Sequence, residues 1–207
     1  FTLGCKVNHY ETQAMAELFR SAGWEIVPFP EKADVYVINT CTVTATGDGK
    51  SRRMLSRAHK ANPGALVAAV GCYAEMDPEA VSALPGVGLV IGTDGRKDIV
   101  DRVTAALRAR EAGDALPATP RPAPGSGAHR QTTAAFEDLS AVRDGRTRAT
   151  LKIQDGCVNF CSYCIIPYAR GPLRSRPLAD VERELTVLGA EGYREVVLTG
   201  IHLASYG

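Results

Sequence analysis

The sequence predicts an α/β protein built from parallel strands that alternate with helices. Three observations support this. In the first hundred residues, short β-rich apolar runs alternate with stretches of helical periodicity. The same order returns near the C-terminus as strand, loop, helix and strand. Between the two, residues 111–131 dissolve into Ala, Gly and the prolines Pro117, Pro120, Pro122 and Pro124, the composition of a linker. The expected organisation is an N-terminal parallel-sheet domain over residues 1–110, a linker over 111–142 and a second α/β unit over 143–207.

Taken in order, residues 1–3 read as the end of a strand. Met15, Leu18, Phe19 and Ala22 then recur at helical spacing, with Gly23 as a stop signal. Strands are expected at 24–27, 35–39, 66–70 and 89–91, and helices at 50–60, 78–84 and 96–110. After the linker, Ala149, Leu151 and Ile153 alternate with polar residues, so a strand runs into Cys157. A helix with Leu178, Val181, Leu185 and Leu188 on one face follows, then a strand at 196–198. This is the start of a parallel barrel or open sheet.

With 207 residues, 45% hydrophobic, 23% charged and a net charge of +1, the composition is that of an ordinary soluble protein, and global charge names no partner. No apolar run reaches the roughly 18 residues of a bilayer span and no secretory leader opens the chain, so no membrane partner and a cytoplasmic location are expected. The chain opens on Phe1 inside a strand and closes on a half-built motif at 198–207. It therefore reads as an N-terminal fragment, expected to be inactive alone.

Six cysteines would suit either a disulfide framework or metal binding, and their spacing separates the two. Cys157, Cys161 and Cys164 crowd into one loop, while Cys5, Cys41 and Cys72 lie far apart, unlike the cysteines of a small stapled domain. The loop CVNFCSYC, residues 157–164, follows a strand, where α/β folds place their chemistry. Three thiolates on a cubane cluster leave one iron open to a cofactor. A zinc site, for which no neighbouring residue offers a fourth ligand, and a redox pair at Cys161 and Cys164 are the alternatives.

Cys5, Cys41 and Cys72 each follow an expected parallel strand directly. Carboxyl ends of parallel strands share one sheet edge, so the three can converge. The alternative is that each is a buried cysteine acting as a small hydrophobe.

The cysteine spacing, with Tyr163 just before Cys164, resembles the cluster motif of radical S-adenosylmethionine enzymes, as do KIQDGC at 152–157 and CIIPYARG at 164–171. The resemblance implies a [4Fe–4S] cluster on Cys157, Cys161 and Cys164 that chelates the methionine moiety and yields a 5′-deoxyadenosyl radical. Tyr163 would lie near the adenine, and Gly200 would place backbone against the methionine amino group.

Taken with LGCKVN at 3–8, NTCTVT at 39–44, GCY at 71–73 and LTGIH at 198–202, the chain resembles the methylthiotransferase family, above all the subgroup acting on N6-threonylcarbamoyladenosine at position 37 of tRNA. Other subgroups act on isopentenyladenosine in tRNA or on a ribosomal-protein aspartate. The resemblance implies a flavodoxin-like N-terminal domain and the start of a radical S-adenosylmethionine barrel. It also implies a second [4Fe–4S] cluster on Cys5, Cys41 and Cys72, two uses of S-adenosyl-L-methionine, tRNA as substrate, and a reductant and sulfur donor that the sequence does not name. The non-enzymatic rival is an iron–sulfur or zinc carrier module.

GDGKS at 47–51 lacks the first glycine of a phosphate loop, its place being taken by Thr44, so nucleotide binding is rejected there. Lys50, Arg52, Arg53, Arg57 and Lys60 form a one-signed helix face suited either to an RNA backbone or to solvent. Arg170, Arg174 and Arg176 would meet phosphate or carboxylate, or serve structural salt bridges, and His202 is expected to be packed or solvated.

Overall fold

The computed structural model describes residues 1–114, 135–139 and 148–207. β2 (Leu66–Gly71) is buried at every residue, as a run of LVAAVG requires of a strand covered on both faces. It lies between β1 (Val35–Thr40) and β3 (Val87–Ile91), with both pairings parallel. Residues 1–3 extend the sheet beside β1 through the Thr2 to Asn39 bridge, with Leu3 N–H donating to the Asn39 carbonyl at 2.9 Å.

Parallel neighbours need crossovers, and helices supply them on both faces. Val67 and Ala69 of β2 pack with Tyr36, Leu55, Tyr73 and Val81 on the face of α2 (Ala45–Ala61), α3 (Cys72–Met76) and α4 (Pro78–Ser82). Leu66, Ala68 and Val70 pack with Met15, Phe19, Ile99 and Val103 on the face of α1 (Lys6–Ser21) and α5 (Ile99–Ala112).

The order of residues 1–3, β1, β2, β3 is the flavodoxin-like order with its second strand missing. Residues 24–27, expected as that strand, form no ladder. Pro28 and Pro30 follow and cannot donate to one, and Trp24 instead sets its ring edge-on to Phe19 at 5.5 Å.

The second unit pairs β4 (Arg148–Lys152) with β7 (Glu195–Thr199) in parallel, with α7 (Leu178–Ala190) as the crossover. Ala149, Leu151, Val181 and Leu188 form its core. Leu178, expected on the apolar face, begins the helix and is 62% exposed. A two-residue antiparallel ribbon, β5 (Gln154–Asp155) with β6 (Arg174–Ser175), closes the base of the cysteine loop, and α6 (Ile166–Arg170) lies within that loop.

Residues 111–112 complete α5, and residues 135–139, within the stretch read as linker, are pinned to both units. Leu139 is buried beside Tyr10 and Ala14, and the Tyr10 hydroxyl donates to the Leu139 carbonyl. The four prolines of the linker lie outside the described residues.

Candidate functional site

Cys5, Cys41 and Cys72 occupy three neighbouring strand ends. Cys5 is the N-cap of α1, Cys41 follows β1, and Cys72 opens α3 immediately after β2. Thr40 pairs with Gly71 in the register, so Cys41 and Cys72 leave adjacent strands side by side, about 4.8 Å apart by strand spacing. Cys5 is exposed, while Cys41 and Cys72 are buried.

Each backbone is clamped locally. Ser51, reaching back from α2, accepts from Cys41 N–H at 3.1 Å and donates to its carbonyl at 3.0 Å. The Thr40 hydroxyl donates to the Val70 carbonyl at 2.6 Å and accepts from Ala74 N–H at 3.2 Å, locking the start of α3 to β1. Gly71, at φ +91°, must be glycine, since a Cβ would stand 2.3 Å from Asn39 Oδ1.

Among the described residues no three His, Cys, Asp or Glu side chains are gathered as a metal-ligand set. The fold brings the three thiol-bearing backbones to one sheet edge. The donors still suit a soft polynuclear group: three thiols on one edge, with Gly4 so close that an added Cβ would meet Cys41 Sγ at 3.0 Å.

Behind this edge lies a buried ionic joint between the two units. Glu11 of α1 contacts Arg96 at 2.5 Å, Lys152 at 2.8 Å and Arg170 at 2.7 Å. Asp155 contacts Lys152 at 2.5 Å and Arg170 at 3.3 Å. Glu137 closes on Arg96 at 2.7 Å, and Asp94 holds Arg174 at 2.6 Å. Four cations thus meet four carboxylates, and Glu11, Arg96, Lys152, Asp155 and Arg170 are each 2% exposed or less. The Arg170 guanidinium also faces the Cys72 thiol, whose pKa burial raises and this cation opposes.

Burial by itself would raise the Glu11 carboxyl, but Arg170, Arg96 and Lys152 outweigh it and hold the group at about 2, against an ordinary 4.5. Burial likewise works against Asp155, and Lys152, Arg170, Arg96 and Arg174 hold it well below the usual range. A carboxyl depressed in the folded state contributes stability above its unfolded pKa and loses it as pH falls through the folded value. The joint is therefore whole at neutral pH and is lost between 4.5 and about 2. An acid titration followed by near-ultraviolet circular dichroism is expected to show tertiary structure falling in that window, and a signal unchanged at pH 2 would contradict the assignment.

The second triad sits on an open loop. Gly156 and Cys157 leave β5, and Cys157 N–H donates to the Gly171 carbonyl at 3.1 Å. Phe160 takes a left-handed φ of 44°, and Cys164 N–H donates to the Cys161 carbonyl at 2.9 Å, so the cysteines wrap around one turn. Cys161 is exposed and Tyr163 is 89% exposed, its ring turned outward. Gly200 packs against Gln154, where a Cβ would come within 2.9 Å. Gln154 also accepts from His202 N–H at 2.6 Å, and His202 Nδ1 pairs with Ser205.

Arg170, Arg174 and Arg176 prove to be salt-bridge residues, with Arg176 meeting Asp138 at 2.8 Å. GDGKS forms the opening turns of α2, capped by Thr44, whose hydroxyl accepts from Gly47 N–H at 3.0 Å. On the basic face of α2, Lys50, Arg52, Arg53, Arg57 and Lys60 are all exposed, with Arg57 lying over Phe29 and Arg52 over Tyr73. Sequence reasoning missed Asn8, Glu11, Arg96 and Asp155. The available signal was Asn8 and Glu11 at i, i+3 beside the apolar Val7, Tyr10 and Ala14, which marks a polar pair on a second buried face of α1.

Residues 151–205 match the radical SAM superfamily, and residues 1–92 match the family described as uncharacterized protein family UPF0004. Each cysteine triad lies inside one matched stretch, Cys157, Cys161 and Cys164 in the first and Cys5, Cys41 and Cys72 in the second. The chain's relatives are more particular. It is 47% identical across its whole length to the threonylcarbamoyladenosine tRNA methylthiotransferase MtaB of Bacillus subtilis, covering 44% of that protein. It is 38% identical to the enzyme of the same name from Aquifex aeolicus, covering all of this chain and 48% of the relative. Over 99% of its length it is 30% identical to the tRNA-2-methylthio-N(6)-dimethylallyladenosine synthase of Thermodesulfovibrio yellowstonii, covering 45% of that protein. The chain spans about half the length of the curated relatives it matches. No described helix is long and apolar enough to cross a membrane.

Proposed function

We propose that this chain is the cluster-bearing part of a tRNA methylthiotransferase that modifies C2 of N6-threonylcarbamoyladenosine at position 37, in the cytoplasm. The observation that carries the reading is the pairing of two cysteine triads on one chain. One lies on three adjacent parallel-strand ends and one on a post-strand loop, in a sequence 47% identical throughout to a relative of that name. Cys157, Cys161 and Cys164 would hold one [4Fe–4S] cluster, and Cys5, Cys41 and Cys72 the other. When bound, these groups and S-adenosyl-L-methionine supply radical formation, sulfur and methyl, the chemistry that side chains lack.

The protein's own part is to hold and shield. Tyr163, outward on its turn, would lie against the adenosyl group, and Gly200 would offer backbone beside the end of β7. Lys50 and Arg53 remain available to an RNA backbone. The relatives named for dimethylallyladenosine support a second reading, in which N6-dimethylallyladenosine (isopentenyladenosine) in tRNA is the substrate.

Anaerobic reconstitution with iron and sulfide is expected to give about eight irons per chain, as two cubanes require. Replacing Cys157, Cys161 and Cys164 by Ser should remove about half. Stoichiometric zinc without iron would overturn the reading. Mass spectrometry of tRNA nucleosides from a strain lacking the full gene then decides between the two substrates.

A further inference from the structure

The residue that ties the N-terminal triad together is not a cysteine. Asn8 is 1% exposed, one turn into α1 from Cys5. Its Nδ2 donates to the Leu3 carbonyl at 2.8 Å and to the Thr40 carbonyl at 2.9 Å. Leu3 lies two residues before Cys5 and Thr40 one before Cys41, so a single amide clips two of the three strand ends to each other. Its Oδ1 accepts from Arg170 at 2.5 Å and lies 3.9 Å from Cys5 Sγ. Arg170 in turn faces the thiol of Cys72. The Asn8 backbone is fixed as well, since its carbonyl accepts from Asn39 Nδ2 at 3.0 Å.

We propose that Asn8 is the positioning residue of the three-cysteine edge: its carboxamide sets Cys5 against Cys41 directly and sets Cys72 through Arg170. The inference rests on the reading that these three cysteines act as one ligand set. Asn fits the task because its carboxamide supplies two donors and an acceptor within a few ångströms. Asp offers no donor to the two carbonyls, and Leu offers neither donor nor acceptor.

Because Arg170 comes from the second unit, docking of the two units and ordering of the thiols are one event. Of the groups in the joint, Glu137 grips the Arg96 guanidinium and accepts from the Arg96 and Lys97 N–H groups, none of them partners of Asn8. It therefore serves as a control for loss of joint stability alone.

The test uses the full chain with Cys157, Cys161 and Cys164 replaced by Ser, leaving only Cys5, Cys41 and Cys72. Arsenite is the probe, because arsenic(III) forms three bonds to sulfur as three thiol protons leave with its hydroxyls as water. The sulfur-to-arsenic absorption band reports this product independently of any iron or activity. The parent is expected to bind one equivalent. Asn8→Ala and Asn8→Asp should each weaken binding by about tenfold or more, the second while still offering Arg170 an acceptor, which is about 1.4 kcal/mol. Glu137→Gln should stay within about twofold of the parent even where its melting temperature falls as far as theirs. Equal affinity in the parent and both Asn8 variants overturns the proposal alone. A loss in Glu137→Gln as large as in the Asn8 variants also overturns it, by showing that joint stability is the cause. A parent that binds no arsenite overturns both the proposal and the ligand-set reading beneath it.

Discussion

Replacing Arg170 by Met is expected to destabilise the chain by about 3–5 kcal/mol, the usual cost of breaking a buried ion pair from one side. Arg170 donates to Asn8, to both oxygens of Glu11 and to Asp155, and it is 2% exposed. Met retains most of the aliphatic volume, so the loss is electrostatic and not a cavity. Without the guanidinium, three cations face four carboxylates, of which Glu11 and Asp155 are fully buried, and among the described residues these two are then held ionised by Arg96, Lys152 and Arg174. At about 2–4 °C per kcal/mol for a chain of this size, the melting temperature should fall by roughly 6–20 °C.

Two further results separate this account from generic damage. Glu11→Gln, combined with Arg170→Met, should cost less than the sum of the single changes, because the second removes a charge the first has stranded. The acid transition of Arg170→Met should also begin at higher pH, since the Glu11 carboxyl held at about 2 loses the strongest of its neutralising cations. A melting temperature within 2 °C of the parent would show that the joint contributes little.

Much of the fold could be read from sequence because parallel strands buried on both faces are nearly pure apolar runs. LVAAVG at β2 is the clearest case. The strand at 24–27 misled because apolar β-formers state a preference, while a ladder needs a partner and free N–H groups; Pro28 and Pro30 were the warning. The placement of the cysteines was legible too, since Cys5, Cys41 and Cys72 stand at strand ends and the other three in the loop after a strand. The ionic joint was not. Apart from Glu11, which stands among apolar residues of α1, its members have no local pattern that distinguishes them from surface charge, and it is the packing of α1 against β4, with Arg170 reaching Glu11 from α6, that buries them. Arg170 shows the limit well: sequence offered a salt bridge or a ligand contact, and the structure gives it carboxylates and a thiol together.

Gly156→Ala should be the most damaging single-methyl change in the cysteine loop. The residue has φ +74°, and a Cβ placed there would stand 1.8 Å from the Pro172 carbonyl oxygen and 2.7 Å from that of Gly171. Neither contact can yield as a flexible side chain would, because both are backbone. Gly156 is also fixed on its own account: its N–H donates to Asp155 Oδ1 at 2.8 Å, and its carbonyl accepts from Gln154 Nε2 at 2.8 Å. The Cys157 N–H to Gly171 carbonyl bond lies next along the chain, so relief of the clash must displace Cys157. Gly113 is the internal comparison. Its φ of +73° is nearly the same, yet nothing lies within 4 Å of its Cβ position. Gly113→Ala therefore isolates the left-handed backbone penalty, about 1–2 kcal/mol. Gly156→Ala adds the steric term and should cost about 3 kcal/mol or more in denaturant unfolding. Iron bound after reconstitution should fall by about half in Gly156→Ala, as expected where one of two cubanes loses a ligand, and should be unchanged in Gly113→Ala. If the two variants are equally destabilised, close approach to Pro172 is not what makes glycine necessary before Cys157.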